Sequence, residues 1–232
     1  MKSFILFLVS FFSSAALAKV ELSPEKTIVI GGVISNRMFT PTVEAMEKIA
    51  SKHKEIDIIL SSPGGDVITG SLLIDRMEQL KLRGVNIRCV VRDVAASMAF
   101  QILLHCNERY ATPHSFLLWH PVRIFMQSVM TADMAQVLAI QLASADEVAL
   151  HDIQAYLPMN EADLLWHFKN ETLHQAYNLL MTAPGFFKKV TNNITNLYPT
   201  EPALDTTALG GFFGINQVIY IHERFMNKEN KK

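Results

Sequence analysis

The sequence predicts an α/β protein built on a mainly parallel sheet. Three observations carry that prediction. Short β-branched runs alternate with amphipathic helical runs through the first half of the chain. The breaks between them are short and rich in glycine, proline and serine, the turn chemistry of strand–helix connections. Half of the 232 residues are hydrophobic and 19% are charged, enough apolar chain for one core of ordinary domain size.

The chain opens on residues 1–18, MKSFILFLVSFFSSAALA. Lys2 supplies a positive start, residues 4–12 form a short apolar stretch, and Ala16-Leu17-Ala18 is a small-x-small cleavage pattern. This reads as a secretory signal peptide cut after Ala18, with Lys19 opening a mature chain in the periplasm or secreted. The alternative is an uncleaved N-terminal anchor. No later run is apolar for the length of a membrane span.

The elements follow in order. Residues 26–33 (KTIVIGGV) predict a strand ending at a glycine pair. Residues 41–53 predict a helix, with Val43, Met46, Ile49 and Ala50 on one face. Residues 56–60 (IDIIL) predict a buried strand, stopped by Ser61-Ser62-Pro63-Gly64-Gly65-Asp66. Residues 67–83 predict a second amphipathic helix, with Ile68, Leu72, Leu73, Ile74, Met77 and Leu80 as its apolar set and Gly84 at its end. Strands are expected at 85–91 and 116–119, a helix at 95–104 and a short extended piece at 109–111. From 131 to 168 the pattern is long and helical. Residues 191–207 read as a polar loop, 212–221 as a last strand, and 226–232 as a charged, solvated end. The chain shows no internal repeat, so residues 19–232 read as a single domain.

Composition excludes several classes. The apolar content is too high for disorder. The 21 Lys and Arg are balanced by 22 Asp and Glu, which argues against nucleic-acid binding through bulk positive charge. Two cysteines do not make a disulfide scaffold. Cys89 and Cys106 either pair in an oxidising compartment or lie buried as small hydrophobes; geometry decides between these. The histidines are scattered, without H-E-x-x-H or paired-cysteine spacing, so no metal is expected.

Three places are unusual for a plain α/β core. Ser62-Pro63-Gly64-Gly65 joins a buried strand to a helix start, where glycine lets backbone approach a ligand and N–H groups face outward. An ordinary tight turn has the same composition. Ser97 sits among small residues in Asp93-Val94-Ala95-Ala96-Ser97-Met98-Ala99, placed either as an accessible nucleophile or as a helix N-cap. His120, in Trp119-His120-Pro121, follows a strand end and can serve as a base or simply as a satisfied histidine. Together they supply the parts of a serine hydrolase: nucleophile, base and oxyanion donors. There is no G-x-S-x-G elbow, and the order Ser then His differs from that of chymotrypsin-like enzymes.

These residues resemble the proteolytic subunit of the Clp protease. The likeness rests on Ser61-Ser62-Pro63-Gly64-Gly65, on Ala95-Ala96-Ser97-Met98-Ala99, on Arg109-Tyr110-Ala111-Thr112-Pro113-His114-Ser115 and on His120-Pro121. It runs from about residue 28 to residue 150 and fades beyond; from about 188 the chain is divergent.

The resemblance implies a Clp/crotonase-like fold of stacked ββα units, with mostly parallel sheet and flanking helices. It implies a serine endopeptidase working through an acyl-enzyme, without cofactor, assembled as a homo-oligomeric ring. Ser97 would be the nucleophile and His120 the base, with the Gly65 and Met98 backbone N–H groups as oxyanion hole. The third triad member falls at Glu171 by the family's spacing, with Asn178, Asp205 or no residue as alternatives.

The pattern departs in places. Pro121 stands where the family has Gln, Ser61 where it has Asn, and residues 123–130 (RIFMQSVM) replace a glycine-rich substrate-binding strand. The adjacent Ile124, Phe125 and Met126 read as a hydrophobic lining or as the start of the long helix. The substrate would be peptide or unfolded polypeptide, and an exported chain would have no ATPase partner. Signal-peptide-digesting proteases are a related branch, but their Ser–Lys dyad fits this serine segment less well. A non-catalytic binding or scaffold relative is the alternative function; acyl-CoA chemistry, which the fold also hosts, is disfavoured by the nucleophile motif.

Overall fold

The computed structural model describes residues 19–124 and 126–197. The signal peptide expected at residues 1–18, Phe125, Asp205 and the strand expected at 212–221 lie outside the described residues. The chain begins with β1 (Val20–Glu21), a 3₁₀ turn (Pro24–Lys26) and β2 (Thr27–Gly31). It then alternates α1 (Asn36–Ala50), β3 (Glu55–Ser62), α2 (Val67–Leu82), β4 (Asn86–Ala96) and α3 (Met98–Leu104). After β5 (Glu108–Ala111) and β6 (Phe116–Leu118) come α4 (Ala132–Tyr156) and α5 (Glu161–Asn170). The described chain ends with β7 (His174–Gln175), α6 (Ala176–Thr182), β8 (Lys189–Val190) and β9 (Ile194–Thr195).

The main sheet has the order β2-β3-β4-β5-β8, with β6 also beside β4 and β7 beyond β6. Every pairing in it is parallel except β6 with β7. The alternating pleat separates two apolar clusters. One face carries Ile28, Ile30, Ile58, Leu60, Ile87, Cys89 and Val91 against the helices. The other carries Ile59, Val90 and Tyr110, covered by Val20, Leu22 and Leu197 around the parallel β1–β9 pair.

β4 changes neighbour partway along. Its first part, Arg88–Val91, pairs with β5; its last part, Val94–Ala96, pairs with β6. Against β3 the register shifts between Leu60 and Ser62, so Leu60 faces Val91 while Ser62 faces Ala95. A bulge of this kind bends the strand and re-aims the residues beyond it.

Four expectations change. The predicted helix at 95–104 begins only at Met98, because Ala95 and Ala96 are pinned between β3 and β6. Helix α1 starts at Asn36 and contains Pro41, because burial of Met38 and Thr42 outweighs the hydrogen bond that proline forfeits. The long helical stretch divides at Pro158, and the Asn160 side chain accepts from the Asp163 N–H (2.9 Å) to start α5 afresh. Part of the expected C-terminal loop, Ile194–Thr195, is strand β9.

Cys89 and Cys106 are joined in a disulfide, with Cα atoms 5.9 Å apart and both side chains buried. In α4 only Ile153 is buried, and Met134, Val137, Ile140 and Val148 are exposed. Among the described residues no helix is long and apolar enough to cross a membrane.

Candidate active site

Ser97 occupies the turn between β4 and α3, with φ +54° and ψ −125°. Few non-glycine residues adopt such a backbone, and it persists only where the surroundings over-determine it. Here its N–H donates to the Leu118 carbonyl of β6 (2.8 Å), and its own carbonyl accepts from Phe100 N–H (2.9 Å) and Gln101 N–H (3.2 Å). The hydroxyl makes no capping hydrogen bond, so the side chain is not spent on the helix start. Ser97 is half-buried and Met98 is buried, its side chain lying over Gly70 of α2.

The Ser62–Asp66 turn packs directly on this elbow. Gly64 has φ +97°, and a Cβ there would fall 2.6 Å from Ser97 Cβ, 2.7 Å from Ala96 O and 3.0 Å from Met98 N. At Gly65, φ +151°, a Cβ would fall closer still, on the backbone O (2.2 Å) and N (2.7 Å) of Ile34. The turn is held by Ile34 N–H to the Gly64 carbonyl (2.8 Å), Asp66 N–H to the Ile34 carbonyl (2.9 Å) and Gly64 N–H to the buried Ser62 Oγ (3.1 Å). Asp66 Oδ1 caps α2 by accepting from Thr69 N–H (2.7 Å), and that hydrogen bonding with Thr69 lowers its carboxyl pKa. Among the described residues the Gly65 and Met98 N–H groups have no acceptor. Both glycines therefore matter sterically; the closeness of Gly64 to the serine is a tertiary contact invisible in the Pro-Gly-Gly turn itself.

His120 follows β6, the strand that receives the Ser97 N–H. Its Nδ1 lies 2.6 Å from the Pro121 carbonyl. A carbonyl can only accept, so this contact assigns the proton to Nδ1 and leaves the Nε2 lone pair free. Strand β7 pairs antiparallel with β6, Phe116 opposite Gln175 and Leu117 opposite His174. Glu171 closes α5 in a left-handed conformation (φ +49°, ψ +50°), and its carboxylate pairs with Arg123. Among the described residues no hydrogen bond joins His120 to Ser97 or to Glu171. Asn178 lies on the exposed side of α6.

Several contributors had no clear sequence signal. Asp146 of α4 accepts from the Val122 N–H (2.6 Å), tying that helix to the His120 segment. Behind His120, the buried Trp119 ring stacks on His174 (4.3 Å, 2°), and His167 meets His174 edge-on (4.5 Å). Trp119 Nε1, His167 Nδ1 and His174 Nε2 are buried without hydrogen-bond partners. Burial, helped by the nearby His167, pushes the His174 pKa down to about 4. Phe100 of α3 stacks on Trp119 (4.9 Å), linking the serine's helix to this corner.

Residues 123–124 and 126–130 lie outside any helix, and Thr131 caps α4. Of the three adjacent apolar residues Met126 alone is seen to line a groove, of about 370 Å³, with Met130, Met134 and Val137; Ile124 is exposed and Phe125 lies outside the described residues. A larger cavity, about 650 Å³, opens between Arg92, Thr112, His114 and Asn192 and holds none of the five site residues. Among the described residues no group of three or more potential ligands is arranged for a metal ion. A family model described as Clp protease matches residues 15–154, a stretch that contains Gly65, Ser97, Met98 and His120 and stops before Glu171.

Proposed function

The chain belongs to the Clp protease family of peptidases, and from that premise we propose that it is an exported serine endopeptidase acting without ATP. The observation that carries this reading is the elbow at Ser97: a strained serine whose hydroxyl does not cap the helix, close to two backbone N–H groups that have no acceptor among the described residues. Ser97 Oγ attacks the scissile carbonyl carbon and its proton passes to His120 Nε2. The Gly65 and Met98 N–H groups hold the developing oxyanion. The C–N bond breaks as the imidazolium gives its proton to the leaving amine, and water then releases the acyl group with His120 again as base. Glu171 is the acid that orients His120, once its carboxylate turns from Arg123 to Nδ1.

The leader at 1–18 supports export, and a buried disulfide fits an oxidising compartment. Family members typically form rings, and the exposed apolar side of α4 supports self-association of this chain. The peptide substrate would run past residues 123–130, where Ile124 and Met126 offer apolar surface.

The test is a fluorophosphonate probe on the mature protein. Ser97 should be the labelled residue, Ser97→Ala should abolish labelling, and His120→Ala should slow it by about 1,000-fold or more. The hydrogen bond of His120 to Pro121 and the pairing of Glu171 with Arg123 favour the second reading, a non-catalytic relative. A folded, oxidised protein that ignores the probe and cleaves no peptide would establish that reading instead.

A further inference from the structure

We infer that the Cys89–Cys106 disulfide is a positioning element for Ser97; the inference rests on the peptidase reading. Cys89 lies within β4 and Cys106 just beyond the end of α3. The chain between them climbs β4, turns at Ser97 and returns along α3. The bond thus closes a loop, spanning a sequence separation of 17, with the strained serine near its middle.

The elbow needs such closure. Helix α3 has seven residues and no side-chain cap at its start, so its own hydrogen bonds hold it weakly. Its last carbonyls are taken by Arg109, whose Nη1 donates to Leu104 O and Cys106 O, both at 3.0 Å. That fixes the far end of the helix to β5, while the disulfide fixes it to β4. With the bond cut, α3 keeps one covalent link to β4, at Ser97, and its far end is held to that strand only through the Asn107–Ile87 hydrogen bonds (both 2.9 Å), which yield more readily than a covalent bond. The least costly adjustment is relaxation of the positive φ, and that turns both Oγ and the Met98 N–H away from a bound carbonyl. Both cysteines are buried, at 0% and 3% exposure, so the bond acts as a permanent brace and not as a surface redox sensor.

The experiment compares mature wild type, purified without reductant, with two cystine-free variants, Cys89→Ala/Cys106→Val and Cys89→Val/Cys106→Ala. Far- and near-UV circular dichroism first selects a temperature at which all are folded. Thiol counting under denaturing conditions should find none free in wild type. Each variant should then label at Ser97 about 10-fold more slowly, with kcat reduced in parallel and KM within about twofold. Hydrogen exchange should quicken across residues 94–104 and stay unchanged in β2 and β3.

Variants that label and exchange as wild type does would overturn the inference. So would two free thiols in wild type, or variants that unfold at every temperature, because the bond would then be absent or a general staple. If oxidised wild type fails to label, the peptidase reading falls, and the exchange across 94–104 still decides whether the bond braces the elbow.

Discussion

Ser97 and His120 lie at the ends of neighbouring strands, yet they are held in different ways. The serine is fixed by main chain: a hydrogen bond from its N–H to β6, two into its carbonyl from α3, the backbone of Gly64 against its Cβ, and a disulfide around the whole loop. The histidine corner depends on side chains. His120 rests on a neighbouring carbonyl, and Glu171 pairs with Arg123, whose side chain is 63% exposed. Main-chain constraints cannot swing without breaking the sheet, whereas an exposed ion pair contributes little and exchanges easily. On the proposed reading, the molecule keeps the Ser97 elbow and its oxyanion donors preorganised, and leaves the proposed base His120 and acid Glu171 free to close on substrate.

That contrast can be broken most severely at Gly64. Gly64→Ala forces a Cβ onto Ser97 and Ala96 at a backbone angle alanine resists, and it should cost more than about 4 kcal/mol. Urea unfolding of the variant would measure this. A loss under about 1 kcal/mol would mean that the turn yields and the elbow is not pinned.

A smaller effect is expected behind the base. The His174 pKa is lowered to about 4 in the fold, so the ring stays neutral there while the unfolded chain takes up a proton near its ordinary value of 6.5. Its contribution is therefore fully present above about pH 6.5 and drains away as pH falls towards 4, a loss of about 3 kcal/mol. Denaturant midpoints at pH 7 and pH 4.5 should show it, and His174→Phe should flatten the difference. An equal slope in the variant would remove His174 from the account.

The smallest changes separate the acid from its partner. Glu171→Gln should slow peptide cleavage about 100-fold at little cost in stability. Arg123→Ala should change stability by less than about 1 kcal/mol and raise the labelling rate by a few-fold, because it frees Glu171 for His120. A fall in rate on removing Arg123 would mean that the ion pair belongs to the working site.

Much of this was legible in the amino-acid order. The strand at 56–60, the helix ended by Gly84 and the turn at Pro63-Gly64-Gly65 follow from periodicity and turn chemistry, which act over a few residues. Ser97 and His120 stand out for the same reason, as chemical groups at element ends with small or turn-forming neighbours. The cluster of Trp119, His167 and His174 carries no such mark, because its members come from the residue after β6, from α5 and from β7 and meet only when those elements pack.

Local order thus sufficed for the alternation of strands and helices, the turn chemistry and the choice of Ser97 and His120 as candidates. Packing chose what local preference leaves open. It held Ala95 and Ala96 in a strand against their helical propensity, because two neighbouring strands needed their backbone groups. It joined Cys89 to Cys106, which spacing alone left as either a pair or two buried side chains. It paired Glu171 with Arg123, because the nearest available charge decides where a carboxylate rests.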